Sequence, residues 1–336
     1  MCHSQPIFIM GCQRSGTTLV SQILDSHDNI AIYHESFYYH ILHGEQKYYR
    51  DLSKTDNLRY FAQDVAGILH KQARHVGNSD RVFTPSAEQI AGRVKTPGFA
   101  GVLDAVLSLY AQAAGKQRYG EKTPENYQYL GDILHDFPAA KVIFCVRDPR
   151  DTILSSQKMF NASLEQGIHM WNAAFRSYTR HRDRVKLVRY EDLVSAPERV
   201  VRELCAFIGE PYHDSLMSFF EQIPQSFLAR RKQLSLVGSP ISTQAIGRFR
   251  EMDSRDVRLI EACCAEGMQA MGYAPTEPVD ASLQVPRRRR FRTLRFLLSR
   301  LRYYGFNYER WLHGWARWKV MLKARLRYWF SLPRRA

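Results

Sequence analysis

The chain has 336 residues, of which 45% are hydrophobic and 24% are charged. This composition excludes fibrous, collagen-like and wholly disordered proteins, and the length favours about two domains. Because no run of about 18 apolar residues occurs, we expect no transmembrane helix, and the N-terminal residues lack the pattern of a signal peptide. The six cysteines lack metal-ligand spacing, which indicates reduced thiols in a reducing compartment.

The positive charge of the protein is concentrated near its C-terminal end. Residues 286–336 contain 16 Lys/Arg and one acidic residue, Glu309, whereas residues 1–285 contain 32 basic and 32 acidic residues. The last 51 residues therefore carry the whole net charge of +15, together with four of the five tryptophans. This asymmetry predicts a main domain over residues 1–275, a proline-containing linker over 276–286 and a basic aromatic tail over 287–336.

Apolar patterning predicts strands that alternate with helices along the main domain. The predicted strands lie at 6–10, at 30–33, just before the Gly-Glu-Lys-Thr-Pro segment at 120–124, at 141–146 and at 185–190. The predicted helices lie at 17–26, 57–76 and 99–114, from residue 197 onward, and at 252–271. Such alternation is typical of parallel βαβ units, so the predicted fold class is α/β, with a central parallel sheet flanked by helices.

The first candidate site lies between the predicted strand at 6–10 and the helix that follows it. Residues 11–18 read Gly-Cys-Gln-Arg-Ser-Gly-Thr-Thr, and the two glycines have the spacing of a nucleotide P-loop. Backbone amides of such a loop bind a phosphate-like anion at the helix N-terminus. Thr17 replaces the lysine that reaches the β- and γ-phosphates of a nucleoside triphosphate. With Arg14 in the loop, this favours a single terminal oxyanion group, and a plain strand–turn–helix connection is the alternative.

A second candidate site follows the predicted strand at 141–146. Arg147 leaves the carboxyl end of this buried strand, which is the edge where open α/β sheets bind ligands. Ser155 lies about two helical turns further on, and an arginine held beside a hydroxyl can bind a second phosphate. A solvated charged turn is the alternative interpretation of the same residues.

Together the two motifs resemble the 5′-phosphosulfate loop and the 3′-phosphate site of sulfotransferases that use 3′-phosphoadenosine 5′-phosphosulfate (PAPS). Residues 24–35, which end in His-Glu, resemble the segment of tyrosylprotein-type sulfotransferases that carries the catalytic base, and residues 120–124 resemble their segment with a catalytic lysine. Residues 188–194 and 240–249 resemble their remaining cofactor-binding segments. The resemblance covers residues 6–273, and Met159 stands where some relatives carry an additional arginine.

The resemblance implies the P-loop-containing sulfotransferase fold and a PAPS-dependent enzyme that transfers a sulfuryl group to a hydroxyl or amine acceptor without a metal. Glu35 is implied as the general base, and Lys122 as the residue that stabilises developing charge. The implied PAPS-binding residues are Arg14, Ser15, Gly16, Thr17, Thr18, Arg147, Ser155, Tyr190, Ser242 and Arg248. His34 is the alternative base, although strand alternation is expected to place it opposite Glu35.

The acceptor is expected to be a carbohydrate, a lipid, a peptide or a small molecule, and the aromatic segment 37–49 and the segment 157–167 are expected to line its pocket. Two other function classes stay open. A P-loop kinase or NTPase needs magnesium and an acidic ligand such as Asp148, but the missing loop lysine counts against it. A membrane- or nucleic-acid-binding protein would use the α/β body only as a scaffold.

The tail is predicted to form basic amphipathic helices. Residues 308–330 place Trp311, Trp315, Trp318 and Trp329 on one stripe among arginines and lysines, a pattern typical of helices on membrane surfaces. We therefore expect a cytoplasmic protein that binds the inner face of an anionic membrane peripherally. The alternatives are packing on the body or on the second subunit of a homodimer, and binding of nucleic acid or a polyanionic substrate; of these, nucleic acid is not expected as a partner.

Overall fold

The computed structural model describes residues 5–76, 83–223, 238–280, 282–283 and 322. Within these ranges five strands form one sheet: β1 (Ile7–Gly11), β2 (Ile30–His34), β3 (Arg118–Lys122), β4 (Lys141–Val146) and β5 (Val185–Arg189). Their spatial order is β2-β3-β1-β4-β5, and every neighbouring pair is parallel. The α/β class and the central parallel sheet predicted from the sequence are confirmed.

The helices of the described residues cover both faces of this sheet. They are α1 (Thr17–Asp25), α2 (Tyr38–Leu42), α3 (Thr55–Val76), α4 (Ala87–Arg93), α5 (Phe99–Ala113), α6 (Leu130–Asp136), α7 (Pro149–Phe160), α8 (Leu164–His181), α9 (Tyr190–Ser195), α10 (Pro197–Ile208) and α11 (Ser254–Ala270). Short 3₁₀ turns occupy Gln46–Tyr49, Pro124–Tyr129, Arg182–Arg184, Asp214–Gln222 and Arg248–Glu251. One hydrophobic core lies beneath α3, α5, α8 and α11, and a second lies beneath α1, α9 and α10.

The central position of β1 explains its composition and the glycine that ends it. All five of its residues are buried, as expected for a strand covered on both faces. A Cβ atom added at Gly11 would lie 2.1 Å from the carbonyl oxygen of Cys145 on β4, so only glycine allows this close approach. The chain then turns at the carboxyl edge of the sheet, where β2, β3 and β4 also end.

None of the helices in the described part of the chain combines the length and the apolarity that a membrane span requires. The predicted tail falls almost wholly outside the described residues, so its helices stay a prediction. Thr276, the first residue of the predicted linker, is bound to the main domain, because its N–H and hydroxyl both contact the Glu261 carboxylate of α11.

Candidate functional site

The loop between β1 and α1 leads into α1 without a side-chain cap. Arg14 and Gly16 adopt left-handed conformations with φ of 72° and 91°, and no side chain caps the first N–H groups of α1. Ser15 is 1% exposed, and its Oγ has no hydrogen-bond partner among the described residues. Because buried polar groups are normally paired, this hydroxyl and the uncapped helix N-terminus indicate a place for a polar ligand.

The two motifs that the sequence singled out meet at this loop. Arg14 Nε donates to Ser155 Oγ of α7 at 3.0 Å, and Arg147 Nη1 donates to the Arg14 carbonyl at 3.4 Å. The Arg147 guanidinium also stacks on the Tyr190 ring at 4.7 Å from its centre. A Cβ atom at Gly16 would lie only 2.8 Å from that same ring, so Tyr190 also packs closely against the loop.

The electrostatics of this cluster favour an anion. Burial, and then the neighbouring charge of Arg147, lowers the pKa of Arg14 to about 10. Arg147 is 6% exposed, and its Nε is buried with no hydrogen-bond partner in the described ranges. Two adjacent guanidinium groups with an unused N–H form a site that a phosphate or sulfate group would stabilise through charge-assisted hydrogen bonds.

Lys122 occupies the end of β3 and connects the loop to the end of β2. It is fully buried, and its Nζ donates to Glu35 Oε1 at 2.6 Å and to Thr18 Oγ1 at 3.3 Å. The Nε2 atom of His34 lies 3.2 Å from the same Nζ. A buried ammonium needs such partners, so the structure brings the two predicted catalytic residues and a loop hydroxyl together.

The expectation that His34 and Glu35 lie on opposite faces is wrong. Both side chains reach Lys122 Nζ, and His34 Nε2 lies 3.6 Å from Glu35 Oε1. The reason is that β2 ends at His34, whereas Glu35 adopts a left-handed conformation with φ of 60°. The alternation of side chains that holds along a strand does not continue through such a residue.

Two of the predicted PAPS-binding residues are not joined to this cluster by any described contact. Ser242 and Arg248 are exposed, and Arg248 pairs with Glu251. Their segment reaches the cluster through its backbone instead. The Ala245 carbonyl accepts from Arg147 Nη2, and Asp151 of α7 accepts from the N–H groups of Gly247 and Phe249, both at 2.8 Å.

Sequence reasoning missed the residues that support Arg147. Asp151 lies 3.7 Å from its guanidinium, and the Trp171 indole donates to its carbonyl at 2.9 Å. The only local signal was the charged run Arg-Asp-Pro-Arg-Asp at 147–151. The Trp171 contact depends on how α8 packs, and no pattern within the chain shows it.

The aromatic segment 37–49 contributes several buried side chains to the core, and its role in lining an acceptor pocket stays a prediction. Tyr38, Tyr39 and Tyr49 are at most 5% exposed. Their hydroxyls donate to the Phe99 carbonyl, to Asp136 and to Asp64, respectively, at 2.8–2.9 Å. Phe37 and Tyr48 are only partly buried and pack against the same core.

Acidic and metal-ligating side chains do not gather into a metal centre in the part of the chain that the structure describes. Asp148, which a magnesium site would use, instead accepts from the Arg150 side chain at 2.6 and 3.0 Å. Arg150 also donates to Glu261 at 2.6 Å. These contacts engage Asp148 in a buried ion-pair network that joins α7 to α11.

The described residues thus form a parallel α/β sheet with a candidate anion site at its carboxyl edge, where the uncapped start of α1 follows the central strand and the buried Arg147 follows the neighbouring strand. The model of the sulfotransferase family matches residues 6–214, which is more than half of the chain, and the protein therefore belongs to this family. The recognition made from the sequence motifs is confirmed.

The individual relatives share about a quarter of their aligned residues with this chain. The chain is 27% identical over 233 residues to an uncharacterized protein of Aquifex aeolicus, with 65% of this chain and 27% of that protein covered. It is 24% identical over 287 residues to the protein-tyrosine sulfotransferase of Drosophila melanogaster, with 80% of this chain and 52% of that protein covered. The chain thus spans about a quarter and about half the length of these two relatives.

Among solved structures, the sulfotransferase domain of the olefin synthase from Synechococcus PCC 7002 has the same fold. The two chains superpose with a TM-score of 0.55 at 16% sequence identity, and the match covers 82% of this chain and 98% of that domain.

Proposed function

We propose that the protein is a PAPS-dependent sulfotransferase, which transfers a sulfuryl group to a hydroxyl or amine acceptor. The observation that carries the proposal is the meeting of the loop at 11–18 with Arg147 and Ser155, beside the pair of the buried Lys122 and the half-buried Glu35. Membership of the sulfotransferase family supports the same activity.

The residues present fit the two anionic ends of PAPS. The amides at the start of α1, with the hydroxyls of Ser15, Thr17 and Thr18, would hold the 5′-phosphosulfate group. Arg14, Arg147 and Ser155 would hold the 3′-phosphate, which would supply the partner that the buried Arg147 Nε lacks within the described residues.

Glu35 and Lys122 serve the chemical step. When bound, PAPS supplies the sulfuryl group: the acceptor atom bonds to sulfur while the bond from sulfur to the 5′-phosphate oxygen breaks. Glu35 takes the proton of the acceptor as general base. Lys122 Nζ, held at 3.3 Å from Thr18 Oγ1, stabilises the negative charge that develops next to the loop. Positioning and charge stabilisation together lower the barrier.

A peptide tyrosine is the first acceptor to test. The Drosophila relative bears the name of a protein-tyrosine sulfotransferase, and a phenol hydroxyl is within the class of acceptors that the proposed chemistry uses. Carbohydrate, lipid and small-molecule hydroxyls and amines form the comparison panel. Cytoplasmic location, with peripheral binding to an anionic membrane through residues 287–336, is part of the same proposal and rests on the charge and tryptophan pattern of that segment.

Ligand-induced thermal stabilisation tests the donor. We expect 3′-phosphoadenosine 5′-phosphate (PAP), the product that remains after transfer, to raise the melting temperature without added metal. Stabilisation by ATP with magnesium but not by PAP would instead favour a kinase or NTPase. Transfer of labelled sulfuryl from PAPS to the acceptor panel then tests the activity itself, and a panel with no labelled product would contradict it.

A further inference from the structure

A buried carboxylate that the proposed chemistry does not use lies next to Lys122. Glu121 precedes Lys122 on β3 and is fully buried. Successive side chains of a strand leave its opposite faces. The Lys122 side chain therefore reaches the loop at 11–18, whereas Glu121 contacts the turns that follow β2 and β3.

Four donors surround this carboxylate. Its Oε1 accepts from the Ser36 N–H at 3.0 Å, from the Ser36 hydroxyl at 2.9 Å and from the Thr123 hydroxyl. Its Oε2 accepts from Asn126 Nδ2 at 2.7 Å. Burial raises the pKa of Glu121 to about 7, against the opposing effect of the hydrogen bonds from Thr123 and Ser36. One side chain thus joins the turn after β2 to the turn after β3.

The turn after β2 needs such support because its backbone is strained. Glu35 and Phe37 have φ of 60° and 50°, so two left-handed non-glycine residues flank Ser36. Conformations of this kind are unfavourable and persist only where surrounding contacts determine them. Ser36 provides these contacts, since its hydroxyl donates to Glu121 and accepts from the Tyr38 N–H at 3.2 Å.

We propose that Glu121 is a positioning residue for sulfuryl transfer, which holds Ser36 and thereby keeps the Glu35 carboxylate against Lys122. The inference rests on the proposed roles of Glu35 and Lys122. The Glu35 N–H donates to the Lys122 carbonyl at 2.6 Å, so Glu35 contacts Lys122 through both backbone and side chain. Without the bond from the Ser36 hydroxyl to Glu121, the left-handed turn loses its side-chain anchor, and the carboxylate of Glu35 moves away from the ammonium.

Three variants separate positioning from folding. Ser36→Ala removes the hydroxyl that bonds Glu121, Ser36→Thr keeps a hydroxyl at the same position, and Glu121→Leu removes both carboxylate oxygens and therefore every acceptor that Glu121 offers to Ser36. Turnover is measured as transfer of labelled sulfuryl from PAPS to a tyrosine-containing peptide, or to water where the peptide is not used. PAP affinity is measured by calorimetry.

We expect Ser36→Ala and Glu121→Leu to lower kcat by roughly 10- to 100-fold, the scale of a small misplacement of a reacting group. PAP affinity should stay within about twofold, because neither residue touches the loop or Arg147, and Ser36→Thr should retain most of the turnover. Asp64→Asn is the matched control. Asp64 is a buried carboxylate that accepts from the Tyr49 hydroxyl at 2.9 Å, away from the turn, and its loss should leave kcat unchanged.

Normal turnover of Ser36→Ala would show that the hydroxyl bond to Glu121 does not position Glu35 and would overturn the proposal, and this milder variant decides the matter if Glu121→Leu does not fold. A crystal structure of Ser36→Ala gives a readout independent of activity: an unchanged left-handed Glu35 in contact with Lys122 would also overturn it. If the wild-type protein neither binds PAP nor transfers sulfuryl, the proposed function fails, while that crystal structure still tests whether Ser36 positions Glu35.

Discussion

Arg147 is the residue on which most contacts of the proposed PAPS site converge. Its guanidinium reaches the loop at 11–18, the Tyr190 ring and the Ala245 carbonyl. Arg147→Ala should therefore weaken PAP binding by about 2 kcal/mol or more, the scale of a lost charge-assisted contact. Calorimetry measures this affinity. Arg199→Ala, at an exposed arginine that pairs with Glu203 on α10, is the control and should bind PAP normally. An unchanged affinity for Arg147→Ala in a folded protein would contradict the assignment.

Glu35 offers a test of the chemical step that does not depend on PAP affinity. Glu35→Gln preserves the shape of the side chain but removes the carboxylate that accepts a proton. Turnover with PAPS should fall by about 100-fold or more, while calorimetry should find PAP affinity near that of the wild type. Normal turnover would assign the base to His34, because both residues lie within 3.2 Å of Lys122 Nζ.

The sequence predicted the identities of the residues in the Lys122 cluster but not their arrangement. Glycine spacing, the strand–turn–helix order and the charged residues at strand ends are local patterns, so they can be found along the chain. The left-handed conformation of Glu35 depends on Ser36 and Glu121, which are 85 residues apart. A rule based on strand alternation cannot include such a long-range constraint.

At the scale of elements, α8 and α11 pack closely behind the end of β4. A Cβ atom added at Gly267 of α11 would lie 2.4 Å from the Trp171 ring of α8, and this ring also binds the Arg147 carbonyl through its indole N–H. The predicted helix at 252–271 located α11 well, but its partner α8 was not identified from the sequence. Helix packing of this kind depends on which helix faces meet. The hydrophobic periodicity of a helix shows which of its faces is buried but not which other helix packs against that face.

Gly267→Ala should therefore destabilise the protein by about 1–3 kcal/mol, because the added methyl group overpacks a buried interface. Chemical denaturation measures the change in the free energy of unfolding. Gly67→Ala is the matched control, since Gly67 lies within α3 and a Cβ atom there meets no neighbour within 4 Å. That change should stabilise the protein by about 0.5–1 kcal/mol through helix propensity. Equal effects of the two substitutions would contradict the packing argument.

At the scale of the whole molecule, the parallel sheet explains why distant motifs form one site. The loop after β1, the turns after β2 and β3 and the arginine after β4 all lie at the carboxyl edge, since parallel strands end on the same side. The alternation of strands and helices predicted this edge correctly. The backbone contacts of residues 245–249 with Arg147 and Asp151 could not be predicted, because backbone groups carry no sequence signal, and the roles of Ser242 and Arg248 in PAPS binding stay predictions.

The net charge of the whole molecule also makes a prediction about where the protein binds. Residues 1–285 are electrically balanced, so any long-range attraction to an anionic membrane must come from residues 286–336. Salt screens such attraction over about 10 Å at 0.1 M, whereas insertion of tryptophan side chains at the interface does not depend on charge. Binding of the full chain to anionic lipid vesicles should therefore weaken with added salt without disappearing.

Vesicle sedimentation compares the full chain with a chain that ends at Val285, which should stay in the supernatant. Replacement of Trp311, Trp315 and Trp318 by alanine should remove the part of binding that resists salt and leave the salt-sensitive part, because the 16 Lys/Arg of the segment remain. Neutral vesicles are the control for charge and should retain little of either chain. Equal sedimentation of the full and shortened chains, or none of either, would assign residues 287–336 to packing against the body or against a second subunit.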